Sequence, residues 1–116
     1  MEIKKRSVEY FKTRTGKMPA LEFLSGVKDK LTQAILYKRI RQAGEGQFGK
    51  TRHVGNGIFE MKIDFGPGYR VYFGIHMDEI ILILLAGSKN TQEKDIKKAW
   101  RFWHEDFYKR KKIDQF

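Results

Sequence analysis

The chain has 116 residues, no cysteine, and 24 basic against 14 acidic residues, a net charge of +10. That length is one domain with one hydrophobic core, expected to take in residues 1–116, and the missing cysteines exclude disulfides, thiolate zinc sites and cysteine nucleophiles. So large a positive excess in so small a chain points to polyanions or to an acidic protein partner.

The excess is uneven. Residues 1–57 carry 13 basic and 5 acidic groups, and residues 58–116 carry 11 and 9, with the tail Lys109–Lys112 more than accounting for the second surplus. Met1 to Arg6 are followed by no apolar run of the kind a signal peptide needs. The longest apolar stretch, Ile80 to Ala86, is too short to span a bilayer, so the expectation is a soluble, cytoplasmic protein with no membrane contact.

In chain order, a first strand is predicted within Ile3–Phe11, and Thr13–Met18 is a loop. Pro19 stands where the first turn of a helix accepts it. Leu21, Leu24, Val27, Leu31, Ala34 and Ile35 follow at helical spacing, and Gly26 offers a break into two helices. Leu36, Ile40 and Ala43 fall on the opposite side of a straight helix, so either the helix is covered on two faces or a partner covers one. Gly44, Gly46 and Gly49 end it.

The second half reads as a sheet. Gly55-Asn56-Gly57 signals a hairpin. Phe59, Met61, Ile63 and Phe65 alternate with Glu60, Lys62 and Asp64. Tyr69, Val71, Phe73, Ile75 and Met77 alternate with Arg70, Tyr72, Gly74 and His76. A three-residue loop, Gly66-Pro67-Gly68, keeps the faces consistent by pairing Phe65 with Tyr69, so that Asp64 faces Arg70 and Lys62 faces Tyr72. An Asn56-Gly57 turn pairs His53 with Glu60 and Thr51 with Lys62. One polar face then gathers His53, Glu60, Lys62, Arg70 and Tyr72. Ile80 to Ala86 reads as a central strand. A final helix, capped by Asn90 or Thr91, carries the stripe Ile96, Ala99, Trp100, Trp103 and Phe107, and residues 109–116 are expected to form a flexible basic tail.

A polar face of this composition suits RNA. Cations hold phosphates and offset the charge that builds on a pentavalent phosphorus, and His53, Glu60, Lys62 or Tyr72 can exchange protons with the ribose 2′-hydroxyl. Ordinary cross-strand charge pairs would account for the same face. Lys50 and Arg52, which lead into the first hairpin, extend its basic character. His53, His76 and His104 match no metal spacing, so neither metal nor cofactor is expected.

The run Gly57-Ile58-Phe59-Glu60-Met61-Lys62-Ile63-Asp64-Phe65-Gly66-Pro67-Gly68-Tyr69-Arg70-Val71-Tyr72 resembles the signature G-x-x-E-L-R-I-D-x-G-P-G-Y-R-V-Y. That signature marks the HigB-like, phage-protein-like "addiction module killer" branch of RelE/ParE toxins. Leu84-Leu85-Ala86-Gly87-Ser88-Lys89-Asn90-Thr91-Gln92 with Asp95-Ile96 is similar to its L-L-x-G-G-D-K-x-T-Q…D-I, and the likeness extends over roughly residues 8 to 103. The resemblance implies an α+β fold of order β-α-α-β-β-β(β)-α. Its antiparallel sheet would carry two N-terminal helices on one face, a C-terminal helix, and the working residues on the opposite, concave face. It implies a type II toxin that cuts mRNA on the ribosome without a metal, silenced by a cognate antitoxin, commonly a helix-turn-helix protein, and touching DNA only through that complex.

Residue by residue, Arg70 matches the arginine that such nucleases set on the scissile phosphate. Lys62 stands where the branch has arginine, keeping the charge and losing the bidentate fork. Lys89 and Gln92 match the lysine and glutamine before the last helix, and with Lys50 and Arg52 they complete the expected RNA-binding set. Ser88 replaces an aspartate, and Ala86 stands where Cys or Gly is frequent. Arg70, Lys62, His53, Glu60 and Tyr72 form the expected catalytic set. Two rival readings remain: a ParE-like gyrase inhibitor that cuts nothing, and a non-catalytic basic nucleic-acid-binding module.

Overall fold

A computed structural model describes residues 3–114. Strand β1 is Ser7–Tyr10, helix α1 Pro19–Ser25, helix α2 Lys30–Gly44, and strands β2 to β5 are Thr51–His53, Ile58–Ile63, Tyr69–His76 and Ile80–Ser88. A 3₁₀ turn at Lys89–Thr91 leads into helix α3, Gln92–Asp114. The fold is α+β, with the five strands in one sheet in the order β1-β5-β4-β3-β2. The expected wholly antiparallel sheet is corrected: β1 runs parallel to β5, and only the other pairs are antiparallel. A parallel edge strand needs a crossover, and α1 with α2 supplies it.

The two N-terminal helices are separate, as Gly26 suggested. Asp29 caps α2, accepting from the Thr32 backbone N–H at 3.1 Å and from the Thr32 hydroxyl at 2.5 Å. This restart resets the helical phase, and the expected stripe is corrected accordingly. Leu36, Ile40 and Ala43 are buried, whereas Leu31 is exposed. They pack with Leu24 of α1 on one sheet face, against Met61, Ile63, Val71, Phe73, Ile81, Ile83 and Ala86. Helix α3 covers part of the other face, over Ile58, Tyr72, Leu82, Leu84 and Leu85.

Strand β5 serves both cores by side-chain alternation, and it carries a bulge. Tyr72 pairs with Leu85 and Phe73 with Ile83, leaving Leu84 unmatched. The extra residue inverts the alternation, so Ile83 and Ala86 share a face three residues apart. A Cβ at Gly74 would overlap the Trp103 ring, so α3 rests on bare strand backbone there.

Both predicted hairpin registers are corrected. Strands β3 and β4 pair Ile63 with Tyr69, Met61 with Val71, Lys62 with Arg70 and Glu60 with Tyr72, a slip of two residues. The turn needs five residues: the Gly68 N–H closes on the Phe65 carbonyl at 3.0 Å, with Gly66 and Gly68 both at positive φ, and Phe65 leaves the strand. Strands β2 and β3 slip by one, pairing Arg52 with Glu60 and His53 with Phe59. Gly55, Asn56 and Gly57 all sit at positive φ, and the Val54 N–H bonds the Ile58 carbonyl at 2.8 Å, making a three-residue connection. Met77 is not in β4 but in the β4–β5 turn, with φ 51°. Phe107 is 59% exposed rather than core. Residues 109–114 of the expected tail continue α3, and residues 115–116 lie outside the described residues.

Candidate functional site

Where α3 leaves the sheet uncovered, β2, β3 and β4 present a cleft of about 450 Å³ lined by Lys50, Thr51, Arg52, Glu60, Lys62, Arg70 and Gln92. It continues past Lys62 and Arg70 to the β3–β4 loop, where Asp64, Gly66, Pro67, Gly68 and Lys89 line its far end. Five cations therefore face two carboxylates, Glu60 and Asp64. Strand alternation places Glu60, Lys62 and Arg70 on this face, and the one-residue slip of β2 brings Arg52 in beside them. The β3–β4 turn brings Lys89 close, because the Lys89 N–H donates to the Gly68 carbonyl at 3.1 Å.

Glu60 organises the floor. It is 3% exposed; Oε1 accepts from Arg52 Nε at 3.0 Å and Oε2 from Gln92 Nε2 at 2.7 Å. Arg70 lies beside it with Nε 3.8 Å from the same Oε1. That distance is an ion pair and too long for a hydrogen bond, so the buried Arg70 Nε has no hydrogen-bond partner, while Nη1 donates to the Tyr69 carbonyl at 3.2 Å. A buried cation beside a carboxylate in the cleft lining is suited to an anion arriving from the cleft, which would meet the Nη groups and not the enclosed Nε. Asp64 is occupied differently from the expectation. It pairs with Lys50 at 2.9 Å and Lys62 at 3.6 Å, not with Arg70, and chiefly the Lys50 hydrogen bond holds its carboxyl below the usual range.

Two members of the expected catalytic set do not line the cleft. His53 turns to the other face with Phe59, ring centroids 5.3 Å apart, and its Nε2 accepts the Gly57 N–H at 3.2 Å, holding the hairpin turn. The register slip that admitted Arg52 removed it. Tyr72 is fully buried beneath the floor, in the core shared with α3. Its hydroxyl has no hydrogen-bond partner of good geometry. Burial first, then the Glu60 and Asp95 carboxylates, push the phenol well above its ordinary range, which makes it a poor proton donor or acceptor.

The residue that the sequence reading passed over is Asp95. It is buried, accepts from the Thr91 hydroxyl at 2.5 Å, and fits only because Gly87 has no side chain: a Cβ there would overlap its carboxylate. Thr91 and Asp95 thus fix the start of α3 and so set Gln92 against Glu60. The i, i+4 spacing of Thr91 and Asp95 at a helix start was the available signal. Among the described residues no group of three or more His, Asp or Glu side chains is placed to hold a metal.

No protein-family model matches the chain. A protein of Haemophilus influenzae, described as uncharacterized, is 42% identical over 77 residues, which cover 66% of this chain and 78% of that protein.

Proposed function

The chain belongs to the same family as that Haemophilus influenzae protein, and we propose that it acts as the toxin of a type II toxin–antitoxin pair, cutting mRNA on the ribosome. The observation that carries this reading is Arg70: a buried cation facing an open basic cleft, in the Tyr69-Arg70 pair of the RelE/ParE-like run. In the proposed reaction the ribose 2′-oxygen attacks the adjacent phosphorus and the 5′-oxygen leaves, giving a 2′,3′-cyclic phosphate and a 5′-hydroxyl. Arg70 and Lys62 offset the charge that develops on the phosphorane, and Lys50, Arg52 and Lys89 hold flanking phosphates. With His53 turned away and Tyr72 sealed, Glu60 is left to take the 2′ proton, and the ammonium of Lys62 is the donor nearest in role for the leaving oxygen. A helix-turn-helix antitoxin is the proposed silencing partner.

A second reading, binding without cutting, is favoured by one feature of the same site. Both oxygens of Glu60 already accept hydrogen bonds and the residue is buried, so little of it is open to a 2′-hydroxyl. On that reading the cleft grips gyrase or nucleic acid and no bond breaks. The two separate in cell-free bacterial translation with mRNA 5′ ends mapped. New ends that depend on ribosomes, and that fall by about 10²-fold or more in Arg70→Ala, are the result expected for a nuclease. Intact mRNA with wild-type protein would overturn the nuclease and favour the binder.

A further inference from the structure

We propose that the outer stripe of α3 and the aromatic ledge beside it form a second contact for single-stranded RNA, which carries onward the strand whose phosphate sits in the cleft. The proposal rests on the RNA reading of the cleft. Lys94, Lys97, Arg101, His104 and Tyr108 are spaced three and four apart and all are exposed, so they form one line along the helix. Among the described residues no carboxylate pairs with Lys94, Lys97 or Arg101. The acids of this stretch are turned elsewhere: Asp95 to Thr91, Glu105 to the Arg14 N–H and Asp106 to Arg110. Glu93 remains exposed at the start of the helix.

Beside the stripe lies a hollow of about 550 Å³ lined by Asn56, Trp100, Arg101, Trp103, His104 and Phe107, with no carboxylate among them. The ledge is rigid. The Trp100 indole N–H donates to the Val54 carbonyl at 3.2 Å, and Gly55 and Gly57 of the hairpin turn lie against Trp100 and Trp103. Phe107 and Tyr108 are 59% and 58% exposed. Unpaired cations along a line of rings are what an unpaired strand uses, since phosphates follow the charge and bases lie on the rings in any sequence. A protein partner's apolar face would leave those cations buried without partners. Continuity with the cleft comes from the helix itself. Gln92 lines the cleft at its start, and Arg101 follows about 14 Å along the axis and half a turn around it, so a strand leaving the cleft crosses the exposed first turn at Lys94 to reach the stripe.

The test is fluorescence anisotropy with a 5′-labelled oligouridine 12-mer and 4-mer, using the full chain. The expected result is that Lys97→Gln/Arg101→Gln reduces the advantage of the 12-mer over the 4-mer tenfold or more. Its log–log salt slope should become shallower by about 1.4, two phosphate contacts on a single strand. His104→Ala/Phe107→Ala should reduce the same advantage without changing the salt slope, since it removes rings and not fixed charge. An unchanged 12-mer advantage in both pairs, with binding still lost in Arg70→Ala, overturns the stripe and leaves the cleft reading standing. Failure of the wild type to bind either oligonucleotide overturns both. A duplex 12-mer that competes as well as the single strand overturns the stacking ledge. Stripe variants that bind RNA normally but lose a co-purifying protein overturn the RNA assignment in favour of a protein dock.

Discussion

Replacing Glu60 by glutamine keeps the volume of the side chain and one acceptor oxygen, and removes one buried negative charge. Of its three neighbours, Arg52 has a side chain 63% exposed, so its loss is screened and is worth about 0.5 kcal/mol or less. Gln92 loses a hydrogen bond to a charged acceptor and regains part of it from the amide oxygen, a net cost of about 0.5–1 kcal/mol. The main effect falls on Arg70, whose side chain is 6% exposed. Breaking a buried ion pair costs about 3–5 kcal/mol when the partners are hydrogen-bonded. Here the 3.8 Å separation, the remaining Tyr69 carbonyl contact and the relief of Glu60's own desolvation reduce that to about 1–2 kcal/mol. The total is about 1.5–3.5 kcal/mol, read as a lower urea midpoint at unchanged m-value. Adding Arg70→Met to Glu60→Gln removes the stranded cation and should recover about 1 kcal/mol or more in a double-mutant cycle. If Glu60→Gln unfolds within about 0.5 kcal/mol of the wild type, or if the two changes simply add, the carboxylate does not hold Arg70 and the account of the floor is wrong.

Asp78 ties the β4–β5 turn to the N-terminal segment, 2.6 Å from Lys4 and 2.8 Å from Arg6, with the Arg6 hydrogen bond first and the Lys4 bond second in lowering its pKa to about 2. A depressed folded pKa adds stability that is present above the unfolded carboxyl value and lost as pH falls from about 4 toward 2. Asp78→Asn should therefore narrow its stability gap from the wild type across that window in pH-dependent urea melts, and a gap constant with pH would refute the clasp. Tyr72→Phe removes a buried hydroxyl without a good partner, so at pH 7 the thermal midpoint should hold or rise slightly. Because the phenol's folded pKa lies above its unfolded one, wild-type stability should fall above about pH 10, and the variant should lose part of that fall. A large drop in midpoint at pH 7 would show that the hydroxyl is satisfied. Gly74→Val drives a side chain into the Trp103 ring and should cost about 3 kcal/mol, with a changed near-ultraviolet circular dichroism spectrum. An unaltered spectrum and stability would mean that α3 does not rest on β4.

Much of the cleft was legible because strand alternation assigns faces without knowledge of the partner strand. Glu60 and Lys62 had to share one side, opposite Met61 and Ile63, whatever the pairing, and Arg70 joins them in every β3–β4 register of the same parity. The same rule explains why the β3–β4 error was harmless to the face: a slip of two returns every side chain to its own side and only exchanges neighbours, so Arg70 meets Lys62 instead of Asp64. The slip of one between β2 and β3 was not harmless, since it exchanged His53 for Arg52 in the cleft.

By itself, then, the sequence determined the α+β class, the break between α1 and α2 at Gly26, the polar face of β3 and β4, and the basic character of that face. Each follows from local periodicity, local backbone chemistry or charge. Only the tertiary structure decided the register of both hairpins, the phase of α2, the parallel edge strand and the burial of Tyr72 and Asp95. Register turned on how many turn residues adopt positive φ, three in a row at Gly55, Asn56 and Gly57, and on which side chains the packed neighbours leave room for. Those are properties of surfaces brought together from distant parts of the chain: α3 over β4 sealed Tyr72, and the bare backbone of Gly87 made a place for Asp95.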